Sequence, residues 1–370
     1  MILRMNDQGM KYIEEYRDKG LILKLADHIK KNATGSYTFM EVCGGHTSAI
    51  HRFGIPSLLP SNIRLISGPG CPVCVTGTEF IDKAIAYSKK DDVIITTFGD
   101  LIRVPGSSSS LEKENSAGAD IRLVFSGLEA LNIARTNPEK KVIFLGIGFE
   151  TTVPGTAITL KQAKESDPQN FFLLSAHKIM PPAMEAIIRD RIFLDGFICP
   201  GHVAAITGSE YFNFIPDTYN LGCVISGFEP ADILMSVLML VRQVNNSLPA
   251  TEIQYSRAVT REGNKIAQGY LYEVFEKVDT NWRGLGIIPD SGLKLKTEFE
   301  KFDAEKMIPV FISQQKENPA CICGDILRGV KTPRECSLFS LACVPENPVG
   351  ACMVSAEGAC NSYYKYNLNE

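Results

Sequence analysis

The chain has 370 residues, enough for two or three domains with cores of their own. Its composition is that of a soluble globular protein, 45% hydrophobic and 22% charged, with a formal net charge of −4 and no basic stripe of the kind that binds nucleic acid. The longest apolar-rich helical stretch, around Ile233–Val244, is too short to span a bilayer, and the N-terminal MILRMNDQGM has no apolar leader, so a cytoplasmic location with reduced thiols is expected.

Residues 9–31 place Tyr12, Ile13, Tyr16, Leu21, Leu23, Leu25 and Ile29 among charged neighbours and are read as one amphipathic helix. A rhythm of short apolar runs and helix-period segments follows. The runs are Tyr37–Val42, Ile63–Ser67, Val93–Phe98 and Ile121–Phe125, then Lys141–Ile147, Phe171–Ala176, Gly196–Cys199 and Gly222–Ser226. Each is apolar throughout, as a strand covered on both faces should be. Alternating β and α patterns predict an α/β protein with two similar doubly wound parallel-sheet domains. The break is expected near Asn137–Lys141, giving a first domain at 35–137 and a second at 138–245. A weak internal echo, GFETT at Gly148–Thr152 and GFEPA at Gly227–Ala231, supports the pairing. The serine-rich Pro105–Ser110 reads as a mobile loop. After Leu248 the rhythm stops. GYLYEVFEKVD looks helical and WRGLGIIPDSGLKL looks like loop and short strand. Residues 1–34 and 246–370 are assigned to a third, mostly helical or irregular domain.

Ligands of open parallel sheets bind outside the carboxyl ends of the strands. The unusual polar residues fall there: Cys43 and His46 in EVCGGHT, Cys71 and Cys74 in GPGCPVC, Asp100, Glu150, His177, His202 and Glu229. Glu150 and Glu229 each precede a helix start, where a carboxylate is ordinarily an N-cap. Cys199 and Cys223 lie in apolar runs and read as buried, inert thiols. Cys43 opens a helix, where the dipole favours thiolate. The Cys71–Cys74 spacing turns two sulfurs to one point, which suits a disulfide or a metal equally. With Cys43 this makes three sulfurs without a fixed fourth ligand, the pattern of a soft metal with open positions or of transient thiol chemistry.

Six of the 11 cysteines fall between Cys321 and Cys360, spaced C-x-C-x12-C-x6-C-x8-C-x7-C. This matches neither zinc-knuckle nor bacterial ferredoxin spacing. The residues by themselves leave two readings, a structural zinc with spare thiols or a [4Fe–4S] cluster beside a redox-active pair.

The motifs EVCGGHT, GPGCPVC, GFETT, CPGHV and CICGDILRG with the terminal GACMVSAEGAC resemble the HypD family of hydrogenase maturation factors, from about Phe39 to the C-terminus. The resemblance implies a redox-active scaffold for the Fe(CN)2CO unit of [NiFe]-hydrogenases rather than a conventional turnover enzyme. Its implied partners are a HypC-type chaperone and a HypE-type cyanide donor. Iron, as transient cargo, would sit between a chaperone cysteine and Cys43, with Cys71 and Cys74 nearby. His46 would orient Cys43 or bond a cyanide nitrogen, and Glu150 and His202 would line the cleft. A likeness of the C-terminal segment to ferredoxin:thioredoxin reductase implies Cys321, Cys336, Cys343 and Cys360 as [4Fe–4S] ligands and Cys323 and Cys352 as the redox pair. The competing readings are a plain thiol–disulfide oxidoreductase and a zinc-stabilised binding protein.

Overall fold

A computed structural model describes residues 13–190, 192–312 and 318–366. All eight expected strands are present: β1 Tyr37–Glu41, β2 Ile63–Ser67, β3 Val93–Thr97, β4 Ile121–Leu123, β5 Lys141–Gly148, β6 Phe171–His177, β7 Gly196–Pro200 and β8 Gly222–Ser226. A short β9, Thr251–Ile253, extends the set. The runs form strands because β-branched and aromatic residues fill them; every residue of the inner strands β3, β7 and β8 is buried, whereas the edge strands β2 and β4 expose Arg64 and Leu123.

The strands join into two parallel sheets, one ordered β2-β1-β7-β8-β9 and the other β4-β3-β5-β6. This pairing divides the chain differently from a cut between 137 and 138. The chain starts the first sheet with β1 and β2, leaves to build the whole second sheet, and returns through β7. Runs that are apolar on both faces carry no mark of which neighbour they join, so consecutive strands were grouped where the fold interleaves them.

The terminal parts attach to both sheets. Helix Lys19–Asn32 packs Leu25 and Ile29 against helix Pro230–Asn246 on the first sheet. It is shorter than expected. The Asp18 carboxylate accepts the Leu21 N–H at 2.7 Å and starts the helix there, after a 3-10 turn at Glu14–Arg17; Tyr12 lies outside the described residues. The Lys265–Val274 helix ends where FEKVD begins β10, Phe275–Trp282, which pairs antiparallel with β11, Gly286–Leu295. This hairpin lies against β6, with Ile179 N–H donating to Ser291 O at 2.9 Å. The serine-rich loop is held, since Ser107 donates from N and Oγ to the Asp82 carboxylate and Ser110 caps helix Leu111–Ser116. Cys199 and Cys223 are fully buried on the adjoining strands β7 and β8, as expected. Among the described residues no helix is long and apolar enough to cross a membrane.

Lys178 joins the hairpin to β6. It is 3% exposed, and its Nζ donates to Asn281 O at 2.8 Å. Burial brings its amine down from 10.5 to about 7. Between those values the unfolded chain binds a proton that the folded chain does not, so this group adds stability as pH rises from about 7 towards 10. Denaturant unfolding of the native chain and Lys178→Met across that range should show their stability difference moving in favour of the native chain. A difference independent of pH would contradict a buried neutral amine.

Candidate functional site

Each parallel sheet has one place where the strand order reverses. In the first sheet it lies between β1 and β7, and in the second between β3 and β5. Loops leaving adjacent strands in opposite directions open a crevice there. β1 leads into Cys43 and β7 into His202, and the Cys43 Sγ lies 3.6 Å from His202 Nδ1. The second switch point is flanked by Asp100 and Glu150.

The C-terminal segment runs between the two switch points. Ser355 Oγ donates to Asp100 at 3.1 Å. Glu357 covers the start of the Cys43 helix so closely that a Cβ on Gly44 would meet the Glu357 Cβ at 2.5 Å. The GPG turn that follows β2 lies on the same spot. Gly44 N–H donates to Gly70 O at 3.0 Å, and a Cβ on Gly70 would stand 2.1 Å from the Cys43 nitrogen. Only glycine permits that approach. It brings the Cys71–Cys74 pair, joined here as a disulfide with Cα atoms 5.2 Å apart, beside the Cys43 backbone.

Burial governs the electrostatics of this crevice. The Cys43 thiol is held well above its ordinary value by burial and then by the Glu357 carboxylate, with the helix-start N–H groups of His46 and Gly45 acting the other way. The expected thiolate-favouring effect of the helix start is therefore present but outweighed. Glu41 is fully buried, accepts the Cys43 N–H at 3.0 Å and the Thr47 hydroxyl at 2.5 Å, and is raised to about 8 by burial. His202 and His46 are both lowered to about 4 by burial.

His46 differs from expectation. Its Nε2 is committed to Gly227 O at 3.0 Å, and its ring stacks on Phe228, which also stacks with His202. The imidazole next to the thiol is that of His202. His46 holds Phe228 and the β8 turn in place behind it. Glu150 does not cap the helix that follows it: its Oε1 accepts from Met180 N–H, at the start of helix Met180–Arg189, at 2.9 Å and from Tyr211 O–H at 2.8 Å, tying the second switch point to the turn Ser209–Phe212 beyond β7. Glu229 does stand at the N-cap of Pro230–Asn246 and also pairs with Arg17. His177 is a packing histidine, held by Thr156 Oγ1 at 3.2 Å and Ser175 Oγ at 3.1 Å and lowered to about 3 by burial.

All six C-terminal cysteines line one small apolar cavity, of about 10 Å³, together with Ile326, Leu338, Phe339 and Met353. The Cys323 and Cys352 sulfurs are 2.7 Å apart. Helix Ala351–Val354, which carries Cys352, packs on helix Pro72–Val75, which carries Cys74. Among the described residues no three His, Cys, Asp or Glu side chains are placed to hold a single ion. The sulfurs instead ring a volume. Burial, then the neighbouring Cys323, Cys336 and Cys343, pushes the Cys321 thiol up to about 12. A positively charged core among these sulfurs would relieve that repulsion, so the donor set fits an iron–sulfur cluster.

Glu41, Phe228 and Glu357 had no role in the reading of the sequence. Glu41 and Glu357 each stand two or three residues from a site cysteine, a faint signal; Phe228 had none.

The HypD family profile, described as "Hydrogenase formation hypA family", matches residues 20–367. The chain is 47% identical to hydrogenase maturation factor HypD2 of Bradyrhizobium diazoefficiens, covering 96% of this chain and 97% of that protein. It is 46% identical to hydrogenase maturation factor HypD of Cupriavidus necator, over 96% and 97% of the two chains. It is 42% identical to hydrogenase maturation factor HypD of Escherichia coli, over 98% and 99%.

Gly70→Ala should cost at least about 2 kcal/mol, because the new methyl meets backbone rather than a movable side chain. Gly99→Ala, where a Cβ meets nothing within 4 Å, should leave the unfolding midpoint nearly unchanged. Equal effects in urea titrations would refute the Gly70–Cys43 contact.

Proposed function

Since the chain belongs to the HypD family of hydrogenase formation proteins, we propose that it is a thiol-based scaffold on which the Fe(CN)2CO unit of a [NiFe]-hydrogenase is assembled. Hydrogenase maturation is its general role. The observation that carries the finer reading is the placement of the Cys43 thiol 3.6 Å from the His202 imidazole, with the Cys71–Cys74 loop packed on the Cys43 backbone.

Iron is the cargo. Binding Fe(II) at Cys43 forms an Fe–S bond and breaks the S–H bond, and neutral His202 has a ring nitrogen in reach of the released proton. Burial keeps the thiol protonated until metal arrives, so the empty site carries little charge. Soft thiolate ligation suits low-spin Fe(II) with strong-field diatomic ligands. A HypC-type chaperone supplies the other thiolate and a HypE-type protein supplies cyanide. The Phe228 ring, stacked with both His46 and His202, covers one side of the crevice.

Cys321, Cys336, Cys343 and Cys360 would hold a [4Fe–4S] cluster, which when bound supplies single electrons. Cys323 and Cys352 remain as a thiol pair. In exchange with Cys71–Cys74, two thiols reduce one disulfide: a new S–S bond forms at Cys323–Cys352, the Cys71–Cys74 bond breaks, and two protons move with the sulfurs. The helix contact between Ala351–Val354 and Pro72–Val75 supports an exchange between the two pairs. A plain thiol–disulfide oxidoreductase would use this pair but would need neither the buried Cys43 nor His202 beside it. The reducing cytoplasm is the matching compartment.

Anaerobic purification with the chaperone should give infrared bands of iron-bound CO and cyanide. Cys43→Ala should remove those bands and abolish hydrogenase maturation while iron–sulfur absorbance stays; full maturation in that variant would sink the scaffold reading. Cys336→Ala should lose iron and acid-labile sulfide together. Retention of both would remove Cys336 from the ligand set.

A further inference from the structure

We infer that a cavity beside the Cys43 strand, separate from the crevice that faces His202, is a binding site for a small hydroxylated anion. It measures about 430 Å³ and opens over β2, the edge strand of the first sheet. That size is within the range of small-molecule sites. The inference stands independently of iron handling.

Two guanidinium groups, Arg64 and Arg334, line the cavity, and both residues are exposed at its rim. Burial raises the hydroxyl of Tyr363, also in the lining, while Arg334 and Arg64 act the other way. Planar guanidinium forks recognise carboxylate or phosphate groups. Ile50, Pro56 and Leu59 form an apolar wall suited to a short carbon skeleton. The inner end is polar: Glu41, Thr47 and Ser67 line it, and both hydroxyl side chains bond the Glu41 carboxyl. Those oxygens favour a ligand hydroxyl and keep an anionic head at the rim. The matching chemistry is a hydroxy acid or a phosphorylated polyol.

The walls belong to two functional elements. Glu41 accepts the Cys43 N–H at 3.0 Å. Tyr363 lies three residues beyond Cys360, on helix Ala359–Tyr366, which packs on helix Gly44–Arg52. An occupant therefore clamps the helix that starts after Cys43 to the helix that carries Cys360. Binding is expected to raise the unfolding temperature by mass action.

The full-length protein is titrated calorimetrically with glycolate, glycerol 3-phosphate, inorganic phosphate and neutral glycerol. At least one hydroxylated anion should bind saturably at one site, and glycerol should not. Glycolate binding would identify a carboxylate head and glycerol 3-phosphate a phosphate head. Arg64→Gln, an exposed change, should weaken binding about tenfold or more, with Arg64→Lys in between and the ligand-free unfolding curve unaltered. Failure of both hydroxylated anions to saturate, equal binding of glycerol, or indifference to Arg64→Gln would each overturn the site.

Discussion

The pairing of β7 with β1 is the constraint on which the rest of this structure depends. It joins segments about 160 residues apart in the chain and makes the first sheet reverse its order at that seam. Because both strands are parallel and both end at the same level, the residues that follow them, Cys43 and His202, are delivered to one crevice. The second sheet repeats the device with β3 and β5. The loop Ser355–Glu357 then occupies the space between the two seams, bonded to Asp100 on one side and lying over Gly44 on the other. The C-terminal cysteine segment is in this way fixed relative to both sheets.

Burial is what gives the crevice its chemistry. Two histidines, a thiol and two carboxyls lie together with few compensating charges, and desolvation pushes each towards its neutral form. The crevice therefore carries little charge. The glycines of CGG and GPG permit the backbone crowding that seals it. In the C-terminal segment burial again comes first, and repulsion from neighbouring sulfurs adds to it, as the Glu357 carboxylate adds to burial at Cys43.

The elements themselves were readable. Mostly apolar runs of four to seven residues between Gly, Pro and Ser turns announce strands, and all eight stand where the pattern put them. The location of the reactive residues at strand ends was readable too, because parallel α/β sheets have only one edge for chemistry. The motifs carried the family. What escaped were matters of partnership. His46, three residues after Cys43 in the chain, turned to Gly227, while distant His202 took the place at the thiol. Glu150 looked like a cap for the helix after it, and instead bonds the start of helix Met180–Arg189 and the Tyr211 hydroxyl. FEKVD continued a helical pattern but paired with GLKL once a partner strand was available.

The sequence by itself determined an α/β protein with two parallel sheets, the clustering of its thiols into two groups, and membership of the HypD family. These follow from local periodicity and from motifs whose residues are close in the chain. Tertiary structure alone decided which strands share a sheet, that Cys43 faces His202, that Glu357 overlies Gly44, and that Cys352 packs towards Cys74. Each of those depends on contacts between segments far apart in the chain, where the choice among equally apolar partners is made by packing rather than by any property of the residues taken singly.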